Sequence, residues 1–485
     1  MRTIPWILLL ASLSVEASAE RPLPWLCRLT ATTQDFDDHR PWIKADPVQR
    51  SGAGVVIRPG LVLTTASLVR SSTYIRVFLD EVVHYTGLLE RVDFYTDLAL
   101  VRVEDGRFAR STSPIHLDPA LPVEEDTLVA HWLEGQTRRS DRLGLIRCEP
   151  EWSTFGGIKL PACQLEAKSS GVPTGSPVSA GNRILGIISG YENDALQLVP
   201  SRLIEDRLAE FENGKDRGFA RLGVRYQEIH DPTLATHLGL PGEPAGVLLR
   251  EVVPGTPAHG VLLPGDILLR AGGFALDSSG MYRDPVFGPI PFGGYLNHWN
   301  HRGQSFKVTV FRGGRELELT IPWKTFEYRQ DLVPQHALDP QPRYAVRGGL
   351  VFRELDLRYL EQWQTWWKSA PPRLRYLADR SAPQDDLARK VVIITHILPD
   401  DYTSGYENLE NEVIAGLNGR PVHGLDNILT GFEHPLGDFH VLELETPAGR
   451  RVVLDGRKYA EAQRRILDHY HIDQPEHAPG VDAGR

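Results

Sequence analysis

The sequence predicts a mainly β protein of about three domains. Short alternating runs such as Val55-Val56-Ile57, Leu61-Val62-Leu63 and Leu98-Ala99-Leu100-Val101 fill residues 25–200, broken by Gly, Pro and Asp. Further β-rich runs follow, among them the hairpin of Lys307-Val308-Thr309-Val310 and Leu317-Glu318-Leu319 through Arg312-Gly313-Gly314. The chain has 485 residues, 41% hydrophobic and 24% charged, enough to bury a core in each unit. A formal net charge of -10, spread along the chain, argues against nucleic acid as a partner, because phosphate binding needs concentrated Lys and Arg.

The first segment reads as a leader. Arg2 supplies a positive start, Ile7 to Leu13 form a short apolar stretch, and Ala17-Ser18-Ala19 offers a small-x-small cleavage pattern. A signal peptide over 1–19 predicts export and a periplasmic location. No later run reaches the roughly 18 apolar residues of a membrane span. Export makes disulfides accessible, and the three cysteines leave one over. Extended runs flank a turn near Phe155-Gly156, which would place Cys148 opposite Cys163 and allow a bridge. Two buried free thiols are the other reading. Cys27 is left free or for another chain.

Within residues 25–200 the strands suggest a barrel or sandwich, and three motifs sharpen this. Ser51-Gly52-Ala53-Gly54-Val55-Val56-Ile57 and Leu63-Thr64-Thr65-Ala66-Ser67-Leu68-Val69 are similar to the G-S-G-V-V-I and L-T-N-A-H-V-V segments of HtrA/Deg serine proteases. Thr96-Asp97-Leu98-Ala99-Leu100 resembles the strand that carries that family's catalytic Asp. Gln164-Leu165-Glu166-Ala167 precedes Gly171-Val172-Pro173-Thr174-Gly175-Ser176-Pro177, which stands where the family has its nucleophile loop. The resemblance implies a trypsin-like double β-barrel over 25–200.

It also places Ser67 at the general-base position, Asp97 at the Asp, and Thr174 at the nucleophile. A serine hydroxyl cannot take a proton near pH 7, so the triad lacks its base. Val172 and Pro173 alter the loop that would hold the oxyanion. His84 and His131 lie in the same domain, away from the base position. These substitutions predict a pseudoprotease. An endopeptidase with an unorthodox site, with Ser176 as a shifted nucleophile, is the rival reading.

Ser201 caps an amphipathic linker helix over 201–216, ended near Asn213-Gly214. Arg217-Gly218-Phe219-Ala220-Arg221-Leu222-Gly223-Val224 resembles the carboxylate-binding loop of PDZ domains, and Leu263-Pro264-Gly265-Asp266-Ile267-Leu268 resembles their core. A first PDZ domain is therefore expected over 217–326, with a strand from Leu222 through Gly223 to Val224 binding peptides or protein C-termini. The insertion from Gly280 to Gln304, which contains Trp299, could cover that groove. A divergent PDZ-like domain is expected over 327–460, on the resemblance of Arg347-Gly348-Gly349-Leu350-Val351-Phe352 and Ile414-Ala415-Gly416-Leu417-Asn418-Gly419.

Leu357, Leu360, Trp363, Trp366 and Trp367 recur at helical spacing, expected to pack on their own domain or at an oligomer contact. Residues 461–485 read as a solvated tail. Its Asp468-His469-Tyr470-His471 lacks the fixed third and fourth ligands of a metal site, so neither metal nor cofactor is expected. The resemblance implies homo-oligomers. Two classes of function stand: a peptide-binding scaffold, adaptor or chaperone in the cell envelope, or a serine endopeptidase.

Overall fold

The computed structural model describes residues 23–479 apart from 81–82, 136, 154–157, 168–170, 193, 214–216, 299–301, 326–330, 335–340, 381–385 and 447. The leader, Phe155-Gly156, Trp299 and the last six residues lie outside the described residues.

Twelve strands close into two six-stranded antiparallel barrels. The first uses β1 (Leu26–Thr33), β2 (Val48–Arg58), β3 (Leu61–Thr65), β4 (Ser72–Phe78), β5 (His84–Asp93) and β6 (Leu98–Arg102), in the order β1-β2-β3-β6-β5-β4. The second uses β7 (Leu128–Glu134), β8 (Thr137–Trp152), β9 (Lys159–Ala167), β10 (Pro177–Ala180), β11 (Arg183–Glu192) and β12 (Ala195–Pro200). Closure removes the open edges that alternating apolar strands would otherwise expose. Leu29, Val62, Val77 and Val101 fill the first barrel, and Leu128, Leu165, Leu185 and Leu198 the second. One-turn helices α1 (Ala66–Val69) and α2 (Gly106–Ser111) interrupt the first. Cys148 pairs in register with Cys163 across β8 and β9, and the two are joined by a disulfide. Cys27 is buried as a free thiol.

Helix α3 (Ser201–Asn213) leads out of the barrels, with Leu203 and Ile204 buried against them. The segment that opens the next domain is anchored by Phe219, which is 1% exposed and clusters with Leu203, Ile204 and residues of the barrels. The Arg207 and Arg302 guanidiniums lie 5.0 and 4.9 Å from the centroid of that ring. Arg207 donates to Asp93 at 2.7 Å and to Glu210 at 2.5 Å, so this buried cation is paired on both sides.

The next sheet runs β13 (Val224–Glu228), β14 (Val247–Val252), β15 (Ile267–Ala271), β19 (Phe306–Arg312), β20 (Arg315–Ile321), with β16 (Phe274–Ala275) beside β15. A short helix α4 (Pro232–His237) follows β13. The insertion folds as a hairpin of β17 (Met281–Asp284) and β18 (Gly288–Pro291) followed by a 3-10 turn over Phe292–Asn297. Tyr282, Ile290, Phe292 and Tyr295 of this insertion join the domain core. It is core rather than a detachable cover.

In the last domain β21 (Tyr344–Arg347), β22 (Leu350–Glu354) and β23 (Val392–Ile397) form one sheet, and β24 (Ile414–Leu417), β25 (Arg420–Pro421), β26 (Phe439–Leu444) and β27 (Arg451–Asp455) another. The aromatic run does not make one helix. It splits into α5 (Leu357–Glu361) and α6 (Trp366–Ser369) at Gln364, whose φ of 50° breaks the helical path, and α7 (Pro372–Ala378) follows. Trp363 and Trp366 pack on the domain core, whereas Trp367 stays 57% exposed. After α8 (Leu425–Gly431), the expected solvated tail is corrected: α9 (Tyr459–His469) buries Ala462 and Ile466, and β28 (Glu476–His477) pairs with β21. Apolar burial at Ile466 and Ile472 outweighs the polar composition that suggested solvation.

A loop of the first barrel reaches into this last domain. Arg353, wholly buried, pairs with Asp38 at 2.8 Å and Asp356 at 2.9 Å, and His39 Nδ1 lies 2.9 Å from the Thr395 carbonyl. No helix among the described residues is long and apolar enough to cross a membrane.

Candidate functional site

Of the three positions the sequence singles out, Ser67 and Asp97 are in direct contact, and the loop of Thr174 packs against β2 of the first barrel. Thr65 ends β3 and α1 turns immediately, which presents Ser67. Asp97 precedes β6 in the left-handed region, at φ 54°, and its carbonyl accepts from Ala66 N–H at 3.1 Å. Both carboxylate oxygens face Ser67: its N–H donates to Oδ1 at 2.7 Å and its hydroxyl to Oδ2 at 3.0 Å. Serine thus fills the place beside the carboxylate with a hydroxyl that is itself a donor.

The electrostatics follow from that exchange. Asp97 is 6% exposed, and burial pushes its carboxyl up to about 7, against the opposing pull of the two Ser67 hydrogen bonds. An imidazolium in the same place would hold the carboxylate ionised.

The loop opposite is built on Gly175, whose φ is 80° and whose Cβ, if present, would collide with the Ala53 carbonyl oxygen. Only glycine fits. This packs the loop against β2, and Ala53 N–H donates to the Thr174 carbonyl at 2.8 Å. Thr174 is half-buried, and among the described residues no side chain hydrogen-bonds its hydroxyl. Ser176 is fully buried, its hydroxyl without a hydrogen-bond partner among the described residues. His131 Nε2 lies 2.8 Å from the Ser179 hydroxyl and its Nδ1 3.3 Å from Arg138; burial, then the Arg138 charge, pushes its pKa down to about 4. His84 is exposed, its ring against Phe78.

The second constellation is the loop before β13. The expected strand from Leu222 starts later: Leu222 and Gly223 belong to the loop and β13 begins at Val224. Gly223 has φ 77°, and a Cβ there would collide with the Thr256 side chain. The carbonyls of Leu222 and Gly223 accept from Ala258 and Val253, but their N–H groups have no partner among the described residues. Two successive open donors beside a positive-φ glycine make an anion-binding concavity. Asn297 of the insertion takes the Ala220 N–H at 2.8 Å, which holds the loop's near side. Among the described residues β13 is the outer strand of its sheet, and Tyr226 on it is half-exposed, its ring 5.2 Å from that of Phe292. In the last domain the corresponding strand β22 is already flanked by β21 and β23, with α8 packed over it. Sequence reasoning assigned no role to Arg221 or Arg225, whose partners Asp331 and Asp379 lie more than 100 residues away.

Among the described residues no group of three or more His, Cys, Asp or Glu could hold a metal ion.

Comparison with known proteins adds a lineage to this geometry. The profile of a PDZ domain matches residues 333–478. Protease Do-like 2, chloroplastic, of Arabidopsis thaliana is 26% identical over 413 residues, covering 82% of this chain and 66% of that protein. Protease Do-like 4, mitochondrial, of the same plant is 24% identical over 441 residues, covering 89% and 81%. Among solved structures, an HtrA-type protease AlgW with decapeptide aligns at a TM-score of 0.45 and 20% identity, over 62% of this chain and 95% of that one. The chain is a homologue of the Do-like (HtrA/Deg) proteases, mainly β, with a trypsin-like barrel pair and a PDZ domain.

Proposed function

We propose that this chain is a pseudoprotease that binds peptides or protein C-termini through the loop Leu222-Gly223-Val224. The observation that carries the first half is the Ser67–Asp97 pair, in which both carboxylate oxygens are occupied by a residue that cannot act as base. A shifted nucleophile finds no support, because Ser176 is buried and His131 is engaged with Ser179 and Arg138. What remains of the triad favours a scaffold over an endopeptidase, even though its relatives are named proteases.

The second half rests on the two N–H donors beside Gly223 and on the outer side of β13, neither of which is paired among the described residues. An extended peptide adds there as a further antiparallel strand, with its terminal carboxylate on the donors. Strand β22 of the last domain has neighbours on both sides, so binding is assigned to the first PDZ unit. An adaptor or chaperone role in the cell envelope rests on the leader pattern of residues 1–19. Homo-oligomers are proposed on family resemblance. Fluorescence anisotropy with a C-terminal decapeptide and its amidated twin tests the binding mode. Weaker binding of the amide supports carboxylate capture, and equal binding excludes it.

A further inference from the structure

The loop that carries the open donors is bracketed by two arginines, and both are engaged by the last domain. Arg221 Nη1 lies 2.8 and 3.0 Å from the two carboxylate oxygens of Asp331. Arg225 Nη1 lies 3.0 Å from Asp379 Oδ1, and its other amino group donates to the Asp379 carbonyl. Neither acid belongs to the domain it contacts. Asp331 leads into Leu332 and Val333, which are buried with Leu355, Tyr359 and Leu374 in the last domain. Asp379 ends α7, whose Leu374 and Leu377 are in the same core. The last domain thus presents two carboxylates to two cations on either side of Leu222-Gly223-Val224.

That arrangement has the chemistry of a ligand. A peptide lying antiparallel along β13, with its terminal carboxylate on Leu222 and Gly223 N–H, brings that carboxylate beside Arg221. At about 3.4 Å per residue, its side chain roughly two positions upstream comes level with Arg225. We propose that Arg221 and Arg225 select a C-terminal peptide with an acidic residue near its end, and that Asp331 and Asp379 occupy these arginines in cis until such a peptide displaces them. This rests on the peptide-binding reading above and specifies the ligand class and its regulation.

The two contacts are unequal. The Asp379 side chain is 79% exposed, and exposed pairs are weak, whereas that of Asp331 is 14% exposed and pairs with Arg221 through both oxygens. Arg225 is also shared with Glu251 of β14, at 3.2 Å. Lys390 faces Asp331 as well and helps hold it in place. Asp331 is the main latch and Asp379 an accessory.

The test uses the full chain and a fluorescein-labelled decapeptide ending in Asp-Tyr-Val, read by anisotropy. Asp331→Asn keeps the shape and removes the charge; with Asp379→Asn it should tighten binding about tenfold by raising the fraction of open sites. Asp331→Glu, which keeps the charge, should leave the affinity within about twofold of the parent. Replacing the peptide's Asp by Asn should weaken its binding to the double variant. Equal affinity of parent and double variant overturns the latch and leaves the peptide-binding reading standing. If neither binds the peptide, the reading itself fails and the latch with it. Equal binding of the Asp and Asn peptides to the double variant overturns the acidic preference.

Discussion

Replacing Asp97 by Asn tests the electrostatic state of the site. Burial holds the Asp97 carboxyl at about 7, well above the usual carboxylate range near 4. The folded chain therefore binds this proton more tightly than the unfolded chain does. Stability from this group is fully present below about pH 4 and is lost as pH rises toward 7. A shift of about three units at 1.36 kcal/mol each sets the loss at about 4 kcal/mol. The amide introduced by Asp97→Asn remains neutral throughout, accepts from Ser67 N–H, and tolerates the left-handed backbone at φ 54°. Urea unfolding at pH 4.5 and pH 8, followed for parent and variant, isolates the site because other groups cancel in the difference. The variant should be close to the parent at pH 4.5 and more stable by about 2–4 kcal/mol at pH 8. A variant less stable than the parent at pH 8 would refute the reasoning, since it would mean that the ionised carboxylate is favoured in the fold.

Arg353→Ala, leaving Asp38 and Asp356 facing a cavity, should lower the stability of the last domain by about 3–5 kcal/mol, measured by chemical denaturation. Double replacement of Cys148 and Cys163 by Ser opens a bridge across a separation of 15 residues and should remove about 3 kcal/mol, read in the same way with and without reductant. Amidating a C-terminal peptide should weaken its binding to the proposed site at Leu222-Gly223-Val224, by titration against the free acid.

The barrels were legible because their determinants are local. Gly52 and Gly175 sit at close backbone approaches, Gly54 leaves room for the Leu29 and Val62 side chains, and Ser67, Asp97 and Thr174 lie in short motifs with recognisable neighbours. The aromatic run misled because helical spacing says nothing of a left-handed residue at Gln364 followed by Pro371-Pro372. The end of the chain misled for a related reason. Two residues of β28 are too few to show a strand period, and the burial is carried by the scattered Ala462, Ile466 and Ile472 in a polar sequence. The contacts between domains were out of reach altogether. Nothing in a local window ties Arg353 to Asp38 or Arg221 to Asp331, since such ion pairs depend on how finished domains dock. The same limit hid the burial of Ser176, which looks in sequence like an available hydroxyl and is enclosed in the fold.

The claim that the barrel no longer catalyses is tested most directly by incubating the purified protein with unfolded casein and measuring released peptides, beside Thr174→Ala and Ser176→Ala variants. A residue that cannot accept a proton stands beside Asp97, so the account predicts no hydrolysis above background and no difference among the three proteins. Casein cleavage by the parent that either substitution abolishes would contradict it.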